Sequence, residues 1–272
     1  MQFDNFSARY AADAPDILRR LSFTLRPGQK IGIVGESGGG KSSLALCLLR
    51  FPVKSSGTIT IDGKDIEEVN LEDLRQRVTL IPQDPVLFSG TLRSNLDPFN
   101  EHDDESIWST IHDNGFVREP ANEGDEDGEG RRSMSESSGS KWSLESHVAS
   151  GGSNLSQGQR QTLSLARAML RRSKVVILDE ATASVDAEMD KMVQSVVRRE
   201  FSDSTVITIA HRLESIMDYD RVLVMQRGQL AEDGAPFELL KTGEHFKRMV
   251  KATGHFDRML KTAEDAHNSR MR

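Results

Sequence analysis

Gly35-Glu-Ser-Gly-Gly-Gly-Lys-Ser42 follows the apolar run Ile31–Val34 and precedes the apolar stretch Ser42–Leu49. Its spacing is G-x-x-x-x-G-K-[ST], which predicts a loop that cradles phosphate between a buried strand and a helix. A Gly-rich turn alone explains the glycines but not the strand before them and the helix after. Glycines leave backbone N–H groups free to surround phosphate oxygens, and the helix start adds its positive end. The candidate phosphate contacts are Gly35, Ser37, Gly38, Gly39, Gly40, Lys41, Ser42 and Ser43. Lys41 is expected to reach the β- and γ-phosphates of a nucleotide, and the Ser42 hydroxyl to bind Mg²⁺.

Outward from the loop, Ile31–Val34, Val175–Leu178, Val206–Ile209 and Val222–Met225 are short, continuous and rich in Val and Ile. Such runs predict strands covered on both faces, as in a parallel sheet. Between the second and third lies Ala187–Glu200, whose Met189, Met192, Val193, Val196 and Val197 share one helical face. Strand, helix and strand in alternation give βαβ units. Val175–Leu178 runs into Asp179 and Glu180, at the strand end where α/β proteins place ligands. Asp179 is expected to hold Mg²⁺, and Glu180 to polarise an attacking water as general base.

Phe3–Tyr10, Leu21–Leu25 and Thr58–Ile61 predict an antiparallel layer, with Asp62–Gly63 as a hairpin turn. From about 92 to 170 the pattern turns helical, which predicts a subdomain inserted into the core. Within it Glu119–Ser140 is acidic, then basic, then rich in Ser and Gly, and is expected to be a disordered loop. The expected class is α/β: a P-loop NTPase core with a mainly parallel sheet, an N-terminal antiparallel layer and the helical insertion. The domain is expected over 1–262, with 263–272 as a polar, fraying tail.

The chain has 272 residues with 35 Lys and Arg against 42 Asp and Glu, a formal net charge of −7. That balance argues against nonspecific binding to nucleic acid or to an anionic membrane. Cys47 is the single cysteine, which excludes an internal disulfide and suits a reducing compartment. The start, Met1–Tyr10, lacks the basic and apolar regions of a secretory signal. No run approaches the roughly 18 apolar residues of a transmembrane helix. The chain is therefore expected to be soluble by itself.

A second motif, Leu155-Ser-Gln-Gly-Gln159, separates this chain from other P-loop proteins. Ser156 and Gln159 fit a capping box that opens a helix carrying Leu163, Ala166 and Leu170. With this motif the sequence resembles the nucleotide-binding domain of ABC transporters over about Gln2 to Met249. The resemblance implies that Ser156, Gly158 and Gln159 meet the γ-phosphate of ATP bound to an opposite domain. Gln83, after the apolar run Val78–Ile81, resembles the family's glutamine that senses Mg²⁺ and couples to the membrane domains. Ser184-Val185-Asp186 resembles the segment that crosses between domains, His211 the switch histidine on the γ-phosphate, and Tyr10 the aromatic that stacks on adenine.

Wider phrases, Ile81-Pro-Gln-Asp-Pro-Val-Leu-Phe-Ser-Gly-Thr-Leu-Arg-Ser-Asn-Leu-Asp-Pro98 and Leu178-Asp-Glu-Ala-Thr-Ala-Ser-Val-Asp186 among them, are similar to the second, C-terminal domain of the C subfamily. These are the multidrug-resistance-associated and related fungal exporters. Two departures stand out: Glu36-Ser37-Gly38-Gly39 replaces the more usual Arg-Thr-Gly-Ala, and the loop at 119–140 is long. The resemblance implies an ATPase using ATP and Mg²⁺, with Glu180, His211, Lys41 and Gln83 as the catalytic set. Its implied partners are transmembrane domains and a second nucleotide-binding domain, with no nucleic acid, at the cytosolic face of a plasma or vacuolar membrane. The chain is then a fragment, an isolated domain or a truncated product. Two alternatives remain: a soluble ABC-type ATPase in DNA repair or translation, and a regulatory module that binds ATP without cleaving it.

Overall fold

The computed structural model describes residues 1–114, 116, 143–179 and 187–271, with the side chains of 187–189 set aside. The expected loop Glu119–Ser140, the acid Glu180 and the segment Ser184–Asp186 lie outside the described residues. The chain divides into two compact units, one of Met1–Asp84 with Arg171–Arg272 and the other of Pro85–Leu170.

The described strands are β1 (Gln2–Arg9), β2 (Leu18–Thr24), β3 (Lys30–Gly35), β4 (Val53–Ile61), β5 (Lys64–Asp65), β6 (Val78–Ile81), β7 (Gly90–Thr91), β8 (His147–Val148), β9 (Val175–Asp179), β10 (Thr205–Ile209), β11 (Arg221–Gln226) and β12 (Gln229–Gly234). The helices are α1 (Lys41–Cys47), α2 (Leu71–Arg77), α3 (Leu92–Leu96), α4 (Asp104–Asp113), α5 (Gln157–Arg171), α6 (Ala187–Glu200), α7 (Pro236–Thr242), α8 (His245–Ala252) and α9 (Phe256–Arg270).

In the first unit the main sheet runs β12-β11-β3-β10-β9-β6. All its pairs are parallel except β11 with β12. The near-continuous apolar runs are explained by burial on both faces. Ile31, Ile33, Leu223 and Met225 join one core cluster, while Val34, Val222 and Val224 join another. The first cluster fills the space toward the antiparallel sheet β2-β1-β4-β5 with Phe3, Phe6, Leu18 and Ile59, and takes Leu44 and Leu48 from the α1 region. Fully burying one such Val, Leu or Phe side chain contributes about 1.5–3 kcal/mol. Asp62 and Gly63, at φ 52° and 79°, form the two-residue turn that pairs Ile61 with Lys64. On α6, Val193, Val196 and Val197 are buried along the expected stripe.

Two expectations need correcting. No strand is predicted after Val222–Met225, yet β12 returns there antiparallel to β11. Its turn is Arg227–Gly228 at φ 48° and 79°, a left-handed pair without the usual Asn or Asp signal. The tail expected to fray from residue 263 instead continues α9 to Arg270. Met259 and Ala263, four residues apart, are buried in the second cluster with Phe237, Leu240 and Phe246. Arg270 pairs with Asp220 at 2.9 Å, and Arg258 with Glu214 at 3.1 Å. The polarity of this segment belongs to the outward face of an amphipathic helix.

The second unit gathers α3, α4 and most of α5 around Leu92, Leu96, Ile107, Ile111, Leu163, Ala166 and Leu170. Asp103 caps α4 by accepting from the Ser106 N–H at 2.9 Å. Arg167 donates from Nε to the Asn95 carbonyl at 2.7 Å, tying α5 to α3. Among the described residues no helix is long and apolar enough to cross a membrane.

Candidate functional site

The parallel register brings the expected loop and three further expected residues to one end of one sheet. Ile209 of β10 pairs with Ile33 of β3 on one side and with Asp179 of β9 on the other. Ile81 of β6 pairs with Leu178. The loop 35–40, Asp179, His211 and Gln83 therefore all leave the carboxyl ends of adjacent strands, where open α/β sheets bind ligands. His211 and Gln83 are exposed there.

The loop is shaped by backbone. Gly35 sits at φ 148°, and a Cβ on it would stand 2.1 Å from the Met225 carbonyl oxygen. Gly40, at φ 98°, is the N-cap of α1, and no side chain caps that helix start. The Gly39 N–H donates to the Glu36 carbonyl at 3.0 Å, and the Gly39 carbonyl accepts from the Gly228 N–H at 3.0 Å. The turn that sequence reasoning missed, Arg227–Gly228, thus backs the loop. Lys41 folds across it and donates from Nζ to the carbonyls of Gly35 at 3.0 Å and Glu36 at 3.2 Å. Its ammonium is held at the loop by oxygens that an anionic phosphate oxygen outcompetes.

Ser42 Oγ donates to Asp179 Oδ1 at 3.3 Å across 137 residues of sequence. A hydroxyl and a carboxylate converging at a strand end are hard oxygen donors and fit Mg²⁺. Farther along α1, burial pushes the Cys47 thiol up to about 12, so it stays protonated as a small apolar group. Tyr10 follows β1 and is 55% exposed, and its hydroxyl lies 2.9 Å from Ser43 Oγ.

Ser156, Gly158 and Gln159 belong to the second unit. The capping box is formed: the Ser156 N–H donates to Gln159 Oε1 at 2.8 Å, and the Gln159 N–H donates to Ser156 Oγ at 3.2 Å. Two residues outside the motif hold this turn. Asn154 accepts from the Ala149 N–H at 2.9 Å and donates to the His147 carbonyl at 2.8 Å. Arg160 donates to the Leu155 carbonyl at 2.9 Å and to the Gln157 side chain. Their neighbourhood to the motif was the only signal available in the sequence.

Electrostatics of the second unit centre on Asp97. Burial alone would raise its carboxyl, but N–H donors from Glu101 and His102, with Arg93 nearby, hold it below the usual carboxylate range.

A family model described as ABC transporter matches residues 18–183. ATP-binding cassette sub-family C member 2 of Rattus norvegicus is 46% identical over 257 residues, which cover 93% of this chain and 15% of that protein. ATP-binding cassette transporter abc4 of Schizosaccharomyces pombe is 45% identical, with 93% of this chain and 16% of that protein covered. The pleiotropic ABC efflux transporter of multiple drugs YBT1 of Candida glabrata is 42% identical over 277 residues, covering 100% of this chain and 16% of that protein. The chain thus spans only 15–16% of the length of these relatives. Among solved structures, a bacterial Atm1-family ABC exporter with ATP bound matches at a TM-score of 0.78 and 31% identity, covering 93% of this chain and 41% of that one. With the family model over more than half of its residues and relatives at 42–46% identity, the chain belongs to the ABC transporter family.

Proposed function

We propose that this domain hydrolyses ATP with Mg²⁺ to drive export of a substrate across a membrane. The observation that carries the reading is the 3.3 Å approach of Ser42 to Asp179 beside the Lys41 ammonium. It joins a phosphate loop to a metal-ligand pair at one sheet end. That the relatives found are exporters and sub-family C transporters favours this reading over a soluble ATPase of DNA repair or translation.

ATP lies with its phosphates along the loop 35–43 and its base on Tyr10. Lys41 leaves the Gly35 and Glu36 carbonyls for β- and γ-phosphate oxygens, a stronger, charge-assisted partnership. Ser42, Asp179 and Gln83 hold Mg²⁺, which when bound draws negative charge from the phosphate oxygens. Glu180 takes a proton from water as the water oxygen bonds to the γ-phosphorus. The bond between that phosphorus and the β–γ bridging oxygen breaks, leaving ADP and phosphate. His211 holds the γ-phosphate in line.

Ser156, Gly158 and Gln159 serve the ATP of a partner domain, so each site is composite. The partners are a second nucleotide-binding domain and transmembrane domains, at the cytosolic face of the membrane. Contact with the membrane is made only through those transmembrane domains, and the net charge of −7 argues against nonspecific binding to nucleic acid.

Glu180→Gln keeps a hydrogen-bonding side chain and removes the base. ATP binding should survive while steady-state hydrolysis falls at least about a hundredfold. Near-normal turnover would reject Glu180 as base. Because two domains must meet, the rate per domain should also rise with protein concentration across a broad dilution series. A flat profile with only monomer in light scattering during turnover would reject the composite site.

A further inference from the structure

We propose that Tyr10 serves the nucleotide twice: its ring supports the base, and its hydroxyl positions Ser43 for the phosphates. The proposal rests on the reading of Tyr10 and the loop 35–43 as a nucleotide site. The two hydroxyl oxygens lie 2.9 Å apart and 33 residues apart in sequence. Both ends of this contact are anchored. Behind Tyr10, the Arg9 guanidinium pairs with Asp16 at 3.2 Å and donates to the Ala12 carbonyl at 3.0 Å. The Ile17 N–H closes the same loop onto the Ala8 carbonyl at 2.9 Å. Ser43 sits in the first turn of α1, next to Ser42 and its bond to Asp179.

The sense of the bond decides what it does. A phenol is a better donor than an alkyl hydroxyl, so the shared proton belongs to Tyr10 and Ser43 Oγ accepts. The hydrogen of Ser43 is then left for an anionic oxygen. A hydroxyl that accepts one bond donates the next more strongly, because bonds in a chain polarise one another. The opposite sense would spend the serine hydrogen on the tyrosine and withdraw it from the phosphate side. Tyr10→Phe therefore separates the two senses by sign: loss of affinity in the first, gain in the second.

Calorimetry with MgATP and MgGTP tests this on the parent, Tyr10→Phe, Tyr10→Ala, Ser43→Ala and the Tyr10→Phe/Ser43→Ala pair. Tyr10→Phe keeps the ring and should bind both nucleotides roughly 3–10-fold more weakly, the scale of one hydrogen bond. Loss for both nucleotides alike marks an effect on phosphates rather than on the base. The double variant should bind no more weakly than Ser43→Ala alone, since the phenol acts only through that serine. Tyr10→Phe binding as tightly as the parent or tighter overturns the proposal, and so do losses that multiply in the double variant. If Tyr10→Ala binds weakly while Tyr10→Phe matches the parent, the nucleotide site stands and the hydroxyl role falls. If Tyr10→Ala and Ser43→Ala both bind like the parent, both readings fall.

Discussion

The loop at Gly35–Gly40 and the turn at Leu155–Gln159 both lead into helices, and the chain holds them by different means. At the loop the support is backbone, apart from the Lys41 ammonium on the Gly35 and Glu36 carbonyls. Gly35 runs at φ 148° against the Met225 carbonyl, Gly39 is bonded to Glu36 and Gly228, and no side chain caps α1. At the turn the support is side chains. Ser156 and Gln159 cap each other's backbone, and the Asn154 amide and the Arg160 guanidinium hold the carbonyls around them. A loop held largely by backbone leaves no room for an added atom at Gly35. A turn built from side chains accepts exchange wherever the replacement keeps the acceptor.

Gly35→Ala tests the first half and should have the largest effect on stability. Its Cβ would need the space 2.1 Å from the Met225 oxygen, at a φ that a side chain strains. A cost of about 3 kcal/mol or more is expected, together with loss of ATP binding. Ser156→Ala, in the same urea titration, should cost only about 1 kcal/mol, the usual value of a lost N-cap. If Gly35→Ala stays within about 1 kcal/mol of the parent, the loop has slack that the close contact denies.

The same division explains how much could be read from the sequence. The strand Val78–Ile81 and the helix Ala187–Glu200 coincide with their expected bounds, because apolar period and polar flanks coincide there. The capping box was legible because its partners lie three residues apart. The support of the loop was not. The Met225 carbonyl reaches Gly35 through the pairing of β11 with β3, and Gly228 through a turn whose Arg227 adopts φ 48° without a local signal. The contact of Tyr10 with Ser43 joins the end of β1 to α1 and leaves no periodic trace. The tail misled for a related reason: a mostly polar composition hid the buried Ala263, one helical turn after the buried Met259 of the same helix.

Gln159→Glu sharpens the comparison and should have the smallest effect on stability. Gln159 Oε1 accepts the Ser156 N–H at 2.8 Å, and a carboxylate oxygen in its place accepts the same bond. The new charge sits in the first turn of α5, where the helix dipole favours an anion by roughly 0.3–1 kcal/mol. The melting temperature should therefore hold or rise slightly. Function should move the other way. In the proposed composite site this turn faces the γ-phosphate of a partner domain. Two like charges about 5 Å apart at a partly wet interface repel by an amount that slows closure on the order of tenfold or more. Turnover should fall while the isolated domain still binds ATP at its own loop. At Gly35 stability and binding fail together, whereas at Gln159 stability and turnover part. Unchanged turnover in Gln159→Glu would mean that this turn meets no phosphate, and a drop in melting temperature would mean that more than the acceptor holds the cap.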